Sequence, residues 1–355
     1  MSFFSDLYAG ETHIDFTKAW KRGLALSTVL VVVSVGALFA RGLNLGIDFE
    51  GGTVWQVPVS GEVSVAEARD ALTPLGQGNA KIQLIGDETL SVQAGVDAED
   101  QIGEVTDTLA DLAGVSPNDI SIESVGPSWG DEITKEARKA LIVFFALIAL
   151  YITIQLEWKM AVGALTAVLH DIIVTVGVYA LFQFEVTPAT VIAVLTILGY
   201  SLYDTIVVYD KVRENTARVS TSGKMTYTAL VNQSMNQVLT RSLGTTFTTV
   251  VPVVSMLLIG SVAFGAVTLR DFSLALMVGL LVGAYSSIFI AAPVLVALKE
   301  REPRNRALRE RLDRGDTGPG PAPGSSPKDG PTAVSGESGG VIAARPRKAK
   351  RKRHR

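Results

Sequence analysis

The stretch 187–210, TPATVIAVLTILGYSLYDTIVVYD, decides the fold. It opens as a lipid-compatible helix, yet Asp204 stands inside the apolar run and Asp210 closes it. An aspartate at the centre of a membrane helix costs roughly 2.5–3.5 kcal/mol on insertion scales. Its side chain is too short to reach the interface, so Asp204 must face a bundle interior or water. At a 1.5 Å rise per residue, six residues place it about 9 Å from the helix end marked by Asp210.

The surrounding composition agrees with a membrane protein. Of 355 residues, 48% are hydrophobic and only 19% charged, whereas soluble domains carry about 25% charged residues. The apolar residues fall into runs near 22–40, 139–156, 161–182, 189–209, 238–259 and 272–298, lengths suited to spanning a bilayer. The run LALSTVLVVVSVGALFA (24–40) resembles a signal-peptide core, but it lacks a clear cleavage site and reads as a retained span. Cysteine is absent, which excludes disulfides, thiolate nucleophiles and cysteine-ligated metals. His13, His170 and His354 have no metal-ligand spacing. With no phosphate-binding loop or catalytic triad, neither enzymatic chemistry nor a cofactor is expected.

The polar segment of about 95 residues after the first run is long enough for a domain. GTVWQVPV suits a strand, and Ser64 with Glu67 forms a capping-box pattern ahead of a helix. KIQLIGDETLSVQAG reads as a hairpin around Gly86–Asp87. Ile102, Val105, Leu109 and Leu112 share one helical face, and DISIESV alternates again. The β-α-β-β-α-β order is ferredoxin-like. The expected fold is therefore an α-helical polytopic membrane protein of six transmembrane helices, with a small α+β domain between helices 1 and 2. Lysines and arginines concentrate at Lys18, Lys21, Arg22, Lys159, Lys211, Arg213 and beyond Lys299, which places both termini in the cytoplasm. The expected division is a cytoplasmic segment 1–21, helix 1 at 22–40, an extracytoplasmic domain 41–138, helices 2–6 at 139–298 and a tail 299–355. Within that tail, KEREPRNRALRERLDR suits a short helix, and the Gly/Pro/Ser-rich stretch after it has the composition of disorder. The closing RPRKAKRKRHR suits anionic lipid and topology; nucleic acid is the alternative.

Four polar side chains lie in or at the apolar runs: His170 and Asp171 in the third, Asp204 in the fourth and Arg241 at the start of the fifth. All four are candidates for proton coupling. A buried Asp that alternates between ionised and neutral can draw and release an Arg, and so repack a bundle. Two simpler readings stay open: Arg241 snorkelling to the interface, and His170 with Asp171 as a structural contact between helices. Asp210, Lys211, Arg213 and Glu214 read as interfacial charges.

Several segments together resemble one family. NLGIDFEGGT (44–53), GPSWGDEITKEARKAL (126–141), LHDIIVTVG (169–177), LGYSLYDT (198–205), VVYDKVRENT (207–216) and NQVLTRSLGTT (236–246) are similar to the SecF family of bacterial protein-export membrane subunits. The resemblance covers about residues 15–300. It implies one six-helix half of a resistance-nodulation-division transporter, paired with a SecD half and associated with the SecYEG channel. It further implies that the proton gradient is the energy source, that SecA acts indirectly before it, and that unfolded polypeptides are the cargo. The family's intramembrane Asp falls on Asp204 and its Arg on Arg241. Position 203 departs from the pattern, with Tyr where many relatives have Asn; the local hydrogen bonding should differ. A small-molecule exporter of the same superfamily and a non-transporting assembly scaffold remain as alternatives.

Overall fold

The computed structural model describes residues 12–59, 63–85, 89–95, 100–219, 225–260 and 267–314. Helix α1 (Phe16–Arg41) is the first of six helices long and apolar enough to cross a membrane. Its N-terminus is capped by the Asp15 carboxylate, which accepts from the Lys18 amide. The chain then makes β1 (Asn44–Leu45), the single turn α2 (Ile47–Glu50) and β2 (Gly52–Pro58). Gly51 and Gly52 join the last two with φ of 76° and 125°. A Cβ on Gly52 would stand 2.3 Å from the Ala94 carbonyl oxygen, so only glycine fits this corner.

Helix α3 (Val65–Leu72) starts on the expected capping box, with Ser64 and Glu67 satisfying each other's backbone amides. Strands β3 (Lys81–Ile85) and β4 (Thr89–Ala94) form an antiparallel hairpin with Ile85 opposite Thr89. The turn expected at Gly86–Asp87 lies outside the described residues. Helix α4 (Ile102–Ala113) and β5 (Ser121–Val125) complete the domain. The sheet order β3-β4-β2-β5, antiparallel throughout, is the ferredoxin-like arrangement.

The core of this domain follows the two sequence periods. Trp55, Val57, Leu90 and Val92 come from one face of the sheet, and Val105 and Leu109 from the facing stripe of α4. Trp55 is fully buried, and its indole N–H donates to Thr106 Oγ1 at 2.9 Å, which removes the cost of burying that donor. The alternation of DISIESV buries less than its pattern suggests, for Ile122 is 41% exposed. Strand β5 is an edge, paired with β2 alone.

Five more membrane helices follow: α5 (Pro127–Gln155), α6 (Trp158–Phe182), α7 (Pro188–Val219), α8 (Tyr227–Leu258) and α9 (Val267–Ser286). Strand β6 (Glu185–Val186), between α6 and α7, pairs in parallel with β1 and ties the third span's exit to the α+β domain. The sixth span continues from α9 through a π-helical turn, Ser287–Ala291, into α10 (Ala292–Lys299). Helix α11 (Pro303–Asp313) is the short helix expected in the charged stretch, and the Gly/Pro/Ser-rich tail lies outside the described residues. The second and fifth helices run well beyond their apolar runs, because hydropathy marks the apolar part of a helix and not the length of its backbone hydrogen bonding.

Candidate proton-coupling site

The close approach of α9 to α7 makes the site possible. Gly279 and Gly283 stand four residues apart on α9, and a Cβ on either would lie 2.2 Å from Ile197 Cδ1 or 2.9 Å from Ser201 Cβ. This small-xxx-small spacing lets two membrane helices meet backbone to side chain. Gly283→Leu should force them apart at a cost of roughly 1–3 kcal/mol or more. The expected result is a lower melting temperature in detergent, with Gly283→Ala causing a smaller drop.

Two carboxylates sit at this contact, each held by hydroxyls from neighbouring helices. Asp204 on α7 accepts from Ser242 on α8, whose Oγ lies 2.7 and 2.8 Å from its two oxygens, and from Ser287 in the sixth span at 2.7 Å. Asp171 on α6 accepts from Ser201 on α7 at 2.5 Å and from Ser286 on α9 at 2.9 Å. His170 Nδ1 lies 3.2 Å from the other oxygen of Asp171, while its Nε2 is buried without a partner among the described residues. The imidazole faces the Tyr285 ring with centroids 6.2 Å apart. Asp171 is 1% exposed, whereas Asp204 is half-buried and lines a cavity of about 40 Å³ with Tyr200, Ser201, Tyr203, Thr246 and Gly283. That volume has room for water. Such hydroxyls stabilise an ionised carboxylate by donating to it and a neutral one by accepting from it.

Arg241 does not join this pair as the sequence reading expected. Its Nη2 donates to the Tyr203 hydroxyl at 2.9 Å, and its side chain is exposed on this chain. The reason is helical register: Tyr203 meets Arg241 and Asp204 meets Ser242, two successive rungs between α7 and α8. Adjacent residues on a helix point about 100° apart, so a register that sets Ser242 on the carboxylate turns Arg241 away. Tyr203, the position that departs from the family pattern, supplies the oxygen that holds the guanidinium. Among the charges after Asp210, Lys211 and Arg218 are both paired to Glu214 at 2.9 and 2.8 Å.

The serines were not singled out in the sequence, although Ser286 and Ser287 form a hydroxyl pair inside an otherwise apolar run, and Ser201 stands three residues before Asp204. Spacing shows that such residues share a face with a carboxylate on their own helix. It does not show which helix brings the next hydroxyl.

A second polar region lies where the α+β domain meets the helices. A cavity of about 230 Å³ is lined by Asp48, Glu123, Glu185 and Asp271, among others. Burial, and then the charge of Glu123, raises the Asp48 carboxyl above its usual range. Burial, and then Asp271, does the same to Glu185. Arg270 offsets part of this acidity, with Nη2 3.1 Å from Asp271 Oδ1.

A six-helix bundle with a ferredoxin-like domain after its first helix is the half-unit of the resistance-nodulation-division architecture. Residues 104–301 match the family described as protein export membrane protein SecD/SecF, C-terminal, and residues 36–63 match the SecD/SecF GG motif. The chain belongs to the SecD/SecF family of protein-export membrane proteins. It is 43% identical to the protein translocase subunit SecF of Streptomyces coelicolor, over 86% of this chain and 82% of that one. To SecF of Mycobacterium tuberculosis it is 39% identical, over 84% and 70% of the two chains. The crystal structure of SecDF from Thermus thermophilus, described as a translocon-associated membrane protein, superposes with a TM-score of 0.73 at 33% identity. This chain covers 39% of that SecDF chain, while 82% of its own length is matched. SecDF in its super-membrane-facing form superposes with a TM-score of 0.61.

Proposed function

We propose that this chain is the SecF-type half of a complex that uses the proton gradient to promote late steps of protein translocation across the cytoplasmic membrane. The observation that carries the reading is Asp204, a carboxylate half-buried between three membrane helices, held by two serines and open to a cavity large enough for water. Protonation at Asp204 cancels the charge those hydroxyls address, and the packing of α7, α8 and the sixth span changes with it. Asp171 and His170 form the deeper part of the same site. Arg241 serves as the counter-charge that ionised Asp204 draws, which it reaches by leaving Tyr203, and it is released when Asp204 is protonated. One elementary charge moved through the membrane field supplies about 2.3 kcal/mol per 100 mV, so several protons suffice for a domain movement.

The partner is a SecD-type half. Large apolar side chains stand open on the helices, among them Val32 (65% exposed), Phe39 (87%), Ile154 (77%) and Phe247 (70%), as surfaces that meet lipid or another bundle would. The SecDF chain, more than twice as long as the part matched here, supports the pairing. Association with the SecYEG channel, an indirect relation to SecA and handling of unfolded polypeptides by the α+β domain complete the reading. Residues 22–40 and 139–298 lie in the membrane, 41–138 outside, and 1–21 and 299–355 in the cytoplasm, where the basic tail meets anionic lipid. The charge count supports this orientation.

Reconstitution tests the pairing. Vesicles containing the SecYEG channel, SecA and both halves should gain export when a proton gradient is imposed, and vesicles lacking either half should not. Full gradient-stimulated export by this chain alone would overturn the half-transporter reading.

A further inference from the structure

The sixth span carries adjacent serines at the entrance to its π turn, and each has two acceptors within reach. Ser286 Oγ lies 2.9 Å from Asp171 Oδ2 and 3.2 Å from the carbonyl oxygen of Gly283. Ser287 Oγ lies 2.7 Å from Asp204 Oδ2 and 3.1 Å from the carbonyl oxygen of Ala284. Both serines are fully buried. A hydroxyl has a single proton to donate, so each serine serves its carboxylate or its own helix, not both. The hydroxyls of Ser201 and Ser242 hydrogen-bond only to the carboxylates among the described residues. The alternative acceptor belongs to the sixth span's pair.

We propose that Ser286 and Ser287 are positioning residues that read the charge on Asp171 and Asp204 and pass it into the backbone of the sixth span. The inference rests on the proton-switch reading of Asp204. With the carboxylates ionised, both hydroxyls donate to them. When a proton arrives on a carboxylate oxygen, the new carboxyl O–H becomes a donor and the serine oxygen accepts from it. The serine O–H then turns to the carbonyl three residues earlier. The incoming proton stays on the carboxyl, the serine keeps its own, and no bond to the serine oxygen breaks. Donation by a serine to its own helix carbonyl loosens and bends a helix. A π turn, where bonding has already shifted from the fourth to the fifth residue, is where such a bend is easily taken up.

Because neighbouring residues point about 100° apart, one helix reaches a carboxylate on α6 and another on α7. The other titratable or charged groups around the pair are His170 on α6, Tyr200 and Tyr203 on α7, Arg241 on α8 and Tyr285 on α9. None of these offers the same choice of acceptors to both carboxylates.

The test uses the complex of both halves, purified for infrared difference spectra between high and low pH and reconstituted for export. The carboxyl C=O band lost in Asp204→Asn belongs to Asp204, and the band lost in Asp171→Asn to Asp171. Ser287→Ala should move the Asp204 band to higher wavenumber and leave the Asp171 band in place; Ser286→Ala should do the converse. Together the two changes should reduce the accompanying amide I difference signal and lower gradient-stimulated export by about tenfold. ATP-driven insertion should be unchanged, and Ser287→Thr, which keeps the hydroxyl, should retain the Asp204 band position. Unmoved bands in both single alanine variants would overturn the inference, whatever happens to export. So would a wild-type gradient response in the double variant. If Asp204→Asn itself exports normally, the proton-switch reading fails and takes this inference with it. If Asp204→Asn is inactive while the serine variants behave as wild type, only the serine inference fails.

Discussion

Asp204→Asn should insert, pair with the second half and lose gradient-stimulated export, while ATP-driven insertion continues. The substitution keeps the size of the side chain and its contacts. The amide oxygen still accepts from Ser242 or Ser287, and the amide N–H₂ donates to the other serine oxygen. The variant therefore stands in for the protonated state and cannot leave it. Because the site needs both states, the gradient-dependent increment should fall to background, at least about tenfold below wild type, as expected when a titrating group is removed from a proton relay. Asp204→Glu should retain part of the increment, since the titrating group survives with a longer reach. The measurement is late-stage translocation in inverted vesicles at saturating ATP, with the gradient imposed or collapsed. Wild-type stimulation in Asp204→Asn would exclude the switch and favour an assembly scaffold.

Asp171→Ala should be the most destabilising of the site substitutions. It removes the acceptor of Ser201, Ser286 and, in the Nδ1–H tautomer, His170, all in the buried part of the bundle. Each buried donor left without an acceptor costs about 1–3 kcal/mol. Ser286 can turn to Gly283, which leaves two donors, so the total should be roughly 2–6 kcal/mol. Thermal unfolding of the purified complex in detergent should show this as a drop of several degrees. Asp171→Asn keeps an acceptor and should melt close to wild type. Its export then separates the two open readings of His170 and Asp171: a stable but uncoupled variant marks a proton site, and a stable, fully coupled one marks a structural contact.

Much of the fold was legible because local and global signals agree here. The apolar runs mark six spans, since a bilayer demands continuous hydrophobicity over a known length. Ile102, Val105, Leu109 and Leu112 share one face by the 3.6 period, and that face is the one packed into the core. The capping box at Ser64 was readable because its partners stand three residues apart. Edge strand β5 was read less well, as alternation records a pleat and not what covers it.

The sequence alone determined that a carboxylate lies in the membrane at Asp204 and another at Asp171, and that lipid would not tolerate either unshielded. Those conclusions need only composition and the helical rise. Tertiary structure decided what shields them. Ser242 rather than Arg241 meets Asp204, because the register between α7 and α8 differs by one residue from the one that would form the ion pair. Ser286 and Ser287 reach both carboxylates because Gly279 and Gly283 let α9 lie against α7, and the π turn follows at once. Such partners lie between 30 and 115 residues away in the chain. Their meeting depends on helix rotation and separation, which no local period encodes.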